Sequence, residues 1–243
     1  MLDRGCWITW YDLPEDGRDD YISWLHGSYI SARLKTPGVL WGASYASEEK
    51  VVHPGEKGRL SHTDGAGVPA GDRFILVFGG ETAHAFADPT PAEFHASLTD
   101  EDRKMLAMRV GERSNILTEE GRADGPEAAQ RSSDLTSAPC IQVGSFNCDY
   151  SEEDELAAWY AQWRLPSMEK LPGCMGVKKY ASVSGWAKHV IFYEWASVQA
   201  RNNVFVNHEA SNSEMEDWTD RVVRKLNHAP GSPNLARRLW PEA

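Results

Sequence analysis

The sequence predicts an α+β protein built from two tandem βαββαβ units. Three observations carry this. A shift of 135 positions brings Trp24 onto Trp159, Asp19 onto Asp154, Pro37-Gly38 onto Pro172-Gly173 and Tyr45-Ala46-Ser47 onto Tyr180-Ala181-Ser182, with no gap from about residue 6 to residue 47. Each copy reads as strand, helix, two strands, helical segment, strand. Between the copies, 121–138 is small, polar and Gly-, Pro- and Ser-containing, a linker by composition. This divides the 243 residues into a first unit over 1–120, the linker, and a second unit over 139–243, each a plausible small domain in length.

In the first copy, residues 6–12 are β-rich and aromatic and predict a strand. Asp16, Asp19 and Asp20 then favour the positive end of a helix dipole. Ile22, Leu25, Tyr29 and Ala32 recur at helical spacing, so 19–35 is an amphipathic helix that Pro37-Gly38 stops. Residues 39–46 form a second strand. Residues 73–79 (RFILVFG) form a third, and their continuous apolar run predicts burial. Thr90-Pro91 opens a helix over 90–108, and 112–119 form a weak fourth strand. The insertion 48–71, between the second and third strands, is long enough to be functional or disordered rather than filler. A lid that excludes water is the functional reading for its His53, His62 and Asp64, since their spacing matches no metal template.

In the second copy, 140–147 is a strand, and Ser151 with Asp154 suggests a capped start to a helix over 152–170. Leu156, Trp159, Trp163 and Ser167 mark one face of that helix, and Pro172-Gly173 ends it. Residues 174–182 and 187–195 form a hairpin around Gly185. Helical patterns over 197–207 and 213–226, broken near Asn212, lead to a last strand over 234–240. The βαββαβ order makes each copy a ferredoxin-like unit.

Composition limits function. Lys and Arg number 25 and Asp and Glu 36, a net charge of −11. A chain this acidic repels phosphate backbones and anionic lipid, so no nucleic acid and no membrane is expected as a partner. No run approaches the ~20 apolar residues that span a bilayer, and the N-terminal MLDRGCWITWYD has no secretory pattern. Cys6, Cys140, Cys148 and Cys174 form no CxxC pair. Reduced, inert cysteines and a cytoplasmic location are the expectation. GxSxG, GxGxxG, P-loop and HExxH motifs are missing from the sequence. The ten Trp are about three times ordinary usage; they serve the core and can also wall a pocket for a flat ligand.

The segment WYAQWRLPSMEKLPGCMGVKKY resembles the first helix and second strand of dimeric α/β barrel proteins, a superfamily that includes EthD-like proteins, stress-responsive barrel domains, polyketide monooxygenases and cyclases, and muconolactone isomerases. Trp159, Tyr160, Pro166, Pro172, Gly173 and Tyr180 match the loose pattern W-Y-x-x-x-H-x-P, P-G, strand, Tyr. The first copy keeps Trp24, Pro37, Gly38 and Tyr45. The resemblance implies that the two ferredoxin-like units pack sheet-to-sheet as an intramolecular dimeric α/β barrel, and homodimers of whole chains occur in the family. It also implies a small-molecule enzyme without a bound cofactor, acting on an aromatic or polyketide-like compound by isomerisation, cyclisation, lyase chemistry or oxygenation. A non-catalytic binding or stress-associated barrel is the alternative. A haem protein of the chlorite dismutase or dye-decolourising peroxidase kind, with His208 or His228 as the iron ligand, is a further one.

The family's helix His falls on Arg164 in the second copy and on Tyr29 in the first. Arg stays charged at any working pH and cannot act as an ordinary base, but it can stabilise a carboxylate or enolate. His26, three residues before Tyr29, shares its helix face. Strand alternation puts His189, Ile191, Tyr193 and Trp195 on one face of 187–195 and Lys188, Val190, Phe192 and Glu194 on the other. The candidate catalytic residues are therefore His26, Tyr29, Arg164 and His189, with the histidines moving protons. Trp24, Trp159, Trp163, Tyr193 and Trp195 are candidate substrate contacts, and no metal ligand set is expected. For each histidine the plain alternative is a surface or hydrogen-bonded core residue. His84, His95, His208 and His228 carry no motif, and surface positions are expected for them.

Overall fold

A computed structural model describes residues 2–51, 58–64, 67–131, 137–205, 208 and 213–242. His53 and Asn212 lie outside the described residues. The first unit contains β1 (Gly5–Asp12), α1 (Arg18–Trp24), a π-helical turn Leu25–Tyr29, α2 (Ile30–Arg33), β2 (Val39–Glu48), β3 (Ser61–His62), β4 (Phe74–Gly80), α3 (Pro91–Ser97), α4 (Asp100–Leu106) and β5 (Val110–Asp124). The second contains β6 (Cys140–Asn147), α5 (Glu153–Trp159), a π-helical turn Tyr160–Arg164, α6 (Leu165–Met168), β7 (Cys174–Ser184), β8 (His189–Trp195), α7 (Val198–Val204), α8 (Ser213–Val223), β9 (Asn227–His228) and β10 (Asn234–Trp240).

The first four-stranded sheet runs β2-β4-β1-β5 and the second β10-β6-β8-β7. Each is the antiparallel order of a ferredoxin-like unit. The fourth strand of each unit pairs with the second strand of the other, β5 with β7 and β10 with β2. These two seams close the eight strands into one antiparallel barrel, which leaves the sheets no open edge to aggregate. β9 attaches outside β6, and β3 from the first unit's insertion pairs parallel with β9. No helix among the described residues is long and apolar enough to cross a membrane.

Strand alternation builds three apolar layers. Cys6, Ile8 and Trp10 of β1 meet Val143, Val190 and Phe192 inside the barrel. Trp7 and Tyr11, on the opposite face, pack under the first unit's helices. Ile191, Tyr193 and Trp195 pack under the second unit's helices, so the two faces read for β8 are the two faces it presents. Cys6 and Cys140 are both buried, but Cys6 faces the barrel core and Cys140 the helix layer. Burial pushes the Cys140 and Cys174 thiols up to about 12, which leaves them unreactive.

The repeat is also structural. The π-helical turns Leu25–Tyr29 and Tyr160–Arg164 stand in the same 135-residue register as the sequence matches. Gly38 and Gly173, which follow the two helices, have φ of 80° and 82°. A Cβ on Gly173 would also lie 2.8 Å from the Ala200 Cβ. Gly173→Ala is therefore expected to cost about 1–2 kcal/mol, readable as a shift of the urea midpoint; an unchanged midpoint would contradict it.

Three expectations need correction. The helix expected over 90–108 is two helices, because Thr99 caps α4 with a capping box to Asp102 just as Thr90 caps α3 with Glu93. Ser151 caps nothing: it sits inside a 3₁₀ turn, Tyr150–Glu152, and α5 begins without a side-chain cap. The fourth strand does not stop at 119. β5 runs to Asp124, four residues into the segment read as linker, because Glu119, Arg122 and Asp124 pair with Tyr180, Lys178 and Gly176 across the seam.

Candidate functional site

Between the second sheet and its helices lies a cavity of about 130 Å³, the size class that holds one benzene-like ring. Gln142, Gly144 and Phe146 of β6 and Ile191 and Tyr193 of β8 form its floor. Trp159, Tyr160 and Arg164 form the helix wall, and Arg201 and Phe205 lie at and just beyond α7. Lys50, Arg59 and Leu60 of the first unit's insertion also line it, as do Leu226, His228 and Pro233. The insertion thus reaches across to the other unit's cavity, and β3 fixes its return path.

Arg164 is the last residue of its π-helical turn and is buried. Its Nε donates to Tyr193 Oη at 2.7 Å and its Nη1 donates to His208 Nε2 at 2.6 Å. His208 Nδ1 donates in turn to the Phe205 carbonyl at 2.6 Å. A carbonyl only accepts, so this bond fixes the proton on Nδ1 and leaves Nε2 to accept from Arg164. The guanidinium carbon stands 4.7 Å from the Phe205 ring centre, 5.2 Å from Tyr193 and 5.4 Å from Trp159, a set of cation–π contacts. Arg201 Nε donates to Gln142 Oε1 at 2.6 Å. Lys50 donates to the Pro233 carbonyl at 2.8 Å, and Arg59 pairs with Asp220 at 3.2 Å. Four cationic side chains thus line an aromatic cavity in a chain of net charge −11, with Arg59 already matched by Asp220, and cations at a cavity wall favour an anionic ligand atom.

His228 also lines this cavity and is 4% exposed. Its Nδ1 donates to the Ser61 carbonyl at 3.1 Å, so Nε2 of the neutral ring is the proton-accepting nitrogen. Burial, helped by His62 and Lys50 and opposed by the Ser61 bond, lowers its pKa to about 4. The ring is an uncharged base at neutral pH.

The structure brings Arg164, Trp159 and Tyr193 together at this cavity. The other sequence candidates lie elsewhere. Trp195 is fully buried edge-on to Phe205. Trp163 lines a separate hollow beside His208. His189 lines a second cavity of the same unit. Trp24, His26 and Tyr29 belong to the first unit, where Trp24 Nε1 donates to Asp102 at 2.7 Å. His26 and Tyr29 do not converge. His26 bonds Ser44 Oγ at 2.7 Å, whereas Tyr29 Oη bonds His95 Nε2 at 2.7 Å, because the π-helical turn widens the spacing that an α-helix would give. Burial pushes the Tyr29 phenol up to about 12, against the pull of Arg109.

Surface positions were expected for His95, His208 and His228, and the structure corrects all three: they are the partners of Tyr29, of Arg164 and of the cavity. Sequence reasoning also missed Arg201, Arg59 and Lys50, whose only signal was a cation within helical or insertion segments. The haem alternative does not fit these residues. Both ring nitrogens of His208 are engaged; His228 keeps Nε2 as an acceptor, but the cavity it lines is about 130 Å³, below the ~300–1,000 Å³ of drug-sized ligand sites, which a porphyrin would fill or exceed.

Comparison with family models and with curated proteins finds no match. Solved structures match along nearly the whole chain. An anthrone oxidase-like protein superposes with a TM-score of 0.64 at 8% identity, over 97% of this chain and 90% of its own. A candidate monooxygenase from Fusobacterium nucleatum gives 0.58 at 11% identity, over 98% and 94%. A candidate chlorite dismutase gives 0.51 at 15% identity, over 98% and 95%. Identities this low speak for fold alone, and the fold agrees with the two crossed seams and the closed eight-stranded barrel. The chain therefore has the dimeric α/β barrel fold, with both ferredoxin-like halves supplied by one polypeptide.

Proposed function

We propose that the protein is an oxygenase for a small aromatic or polyketide-like compound with an acidic oxygen, and that it works without a bound redox cofactor. The observation that carries this reading is the aromatic cavity lined by Arg164, Arg201, Arg59 and Lys50. A phenolate or enolate oxygen is the ligand atom that such a field favours. Aromatic walls hold the ring flat against Tyr193 and Phe205. His228 Nε2 accepts a proton from the substrate's activated ring CH₂. The resulting carbanion, delocalised toward the bound oxygen, reduces dioxygen. One oxygen atom ends as a carbonyl on that carbon, and the other leaves as water with the two hydrogens. The substrate is the reductant and dioxygen the oxidant. Structural neighbours that include an anthrone oxidase-like protein and a candidate monooxygenase agree with this class of reaction.

The test is dioxygen uptake by the purified protein with single-ring phenols, the size the cavity holds, whose dienone tautomer carries the activated ring CH₂. One dioxygen consumed per substrate is expected, and Arg164→Met should lower kcat/KM by roughly 100-fold or more. A second reading, a non-catalytic binding barrel, draws on Arg164 itself: the family signature carries His there, and Arg takes no proton. Ligand binding with no dioxygen uptake across the series would establish that reading instead.

A further inference from the structure

On the same helix face of the second sheet lies another cavity, of about 230 Å³, and Tyr160 forms a wall of both. Its polar end holds Lys179 of β7, His189 of β8 and Glu153 of α5, with Glu120 of β5 at the margin. Leu156, Ala157, Ala161 and Leu165 make the rest apolar. This site has no part in the oxygenase reading and stands independently of it.

The hydrogen-bond pattern fixes what this cavity offers. The Lys179 ammonium donates to the Glu120 carboxylate, to the Tyr180 carbonyl at 3.0 Å and to His189 Nδ1 at 3.2 Å. Its three N–H groups are thereby used. Nδ1 of His189 is an acceptor, so the proton of the neutral ring sits on Nε2. His189 is 6% exposed, and burial with the neighbouring Lys179 charge lowers its pKa to about 4, so the ring stays neutral. Nε2–H has no hydrogen-bond partner. The nearest carboxylate oxygen, Glu153 Oε1, is 3.9 Å away, beyond hydrogen-bond reach, and Lys188 Nζ donates to both Glu153 oxygens at 2.5 Å. A buried N–H without an acceptor is costly and asks for one. The charges around it cancel in pairs, Lys179 with Glu120 and Lys188 with Glu153, so an added anion would meet no unmatched cation.

We infer that this cavity binds a small neutral carbonyl compound, whose oxygen accepts from His189 Nε2–H while its apolar body lies on Leu156, Ala157, Ala161 and Leu165. A metal ion is the rival occupant, because ligand atoms of Cys148, Glu153 and His189 lie within 4.8 Å of one another. A cation would need the lone pair that the Nε2 proton occupies, and it would have to displace Lys188 from Glu153.

The experiment uses acetophenone as the probe and ethylbenzene as its acceptor-free isostere, titrated into the whole protein by calorimetry. Acetophenone is expected to bind about tenfold or more tightly than ethylbenzene, the worth of one buried hydrogen bond. His189→Phe should bring acetophenone down to the ethylbenzene affinity. Arg164→Met, which disables the first cavity, should leave acetophenone binding unchanged and so separates the two sites. Should His189→Phe fail to fold, ¹⁵N spectra of the wild-type histidines carry the test: the His189 Nε2–H resonance should move with acetophenone and stay with ethylbenzene. No binding of acetophenone, equal binding of the two probes, or stoichiometric zinc binding lost in Cys148→Ser would overturn the inference.

Discussion

Lowering the pH from 7 to 4 is expected to weaken the fold by about 4–6 kcal/mol through two histidines alone. His189 and His228 titrate near 4 when folded, against 6.5 for an unperturbed imidazole. Burial is the first cause in both, with Lys179 adding to it at His189 and His62 at His228. Between about 6.5 and 4 the unfolded chain binds a proton at each ring and the folded chain does not. Stability is therefore fully present above pH 6.5 and falls as acid is added toward 4. Neither ring is appreciably exposed, so solvent screening removes little of the effect. Urea unfolding at pH 7 and at pH 4.5 measures it, and replacing His228 by Phe should roughly halve the slope. Equal unfolding free energies at the two pH values would mean that these rings are solvated or paired in a way the structure does not contain.

The sequence reading reached as far as local chemistry reaches. Pro-Gly stops, the Tyr that ends each second strand and the two-residue alternation of β8 are written in adjacent residues, so both units and the faces of His189 and Tyr193 were legible. The end of β5 was not, because Glu119–Asp124 is polar and its strand state comes from pairing with β7, which only the closed barrel supplies. Arg164 could be singled out as a departure from the signature. Its partner His208 could not, since 44 residues separate them and the bond runs through space. The two helix layers also diverged in a way no motif announces. In the first unit Arg109 lies over the rings of Tyr11, Tyr21 and Tyr29, and Arg33 over Trp7, Phe86 and Phe94, so two arginine stems fill the space between the aromatics. In the second unit the arginines stand around a cavity instead.

Asp3→Ala is expected to cost about 3–5 kcal/mol, the usual range for removing one partner of a buried ion pair. Asp3 precedes β1. Its carboxylate accepts from Lys178 Nζ at 2.8 Å, from Trp41 Nε1 at 2.8 Å and from Arg122 Nη2 at 3.1 Å. Burial alone would raise its pKa, but Lys178, Trp41 and Arg122 together hold it below the usual carboxylate value. Without Asp3, Lys178 keeps Glu194 only at 3.9 Å, and Glu194 already pairs with Arg131. The cost comes from the stranded ammonium, not from the lost attraction, and this distinction can be measured. Lys178→Met in the Asp3→Ala background should recover a large part of the loss, because Met matches the Lys stem against Trp41 without needing a counter-charge. A double-mutant cycle in urea reads the coupling directly. If the double variant were less stable than Asp3→Ala by the full cost of Lys178→Met, the two residues would be acting independently.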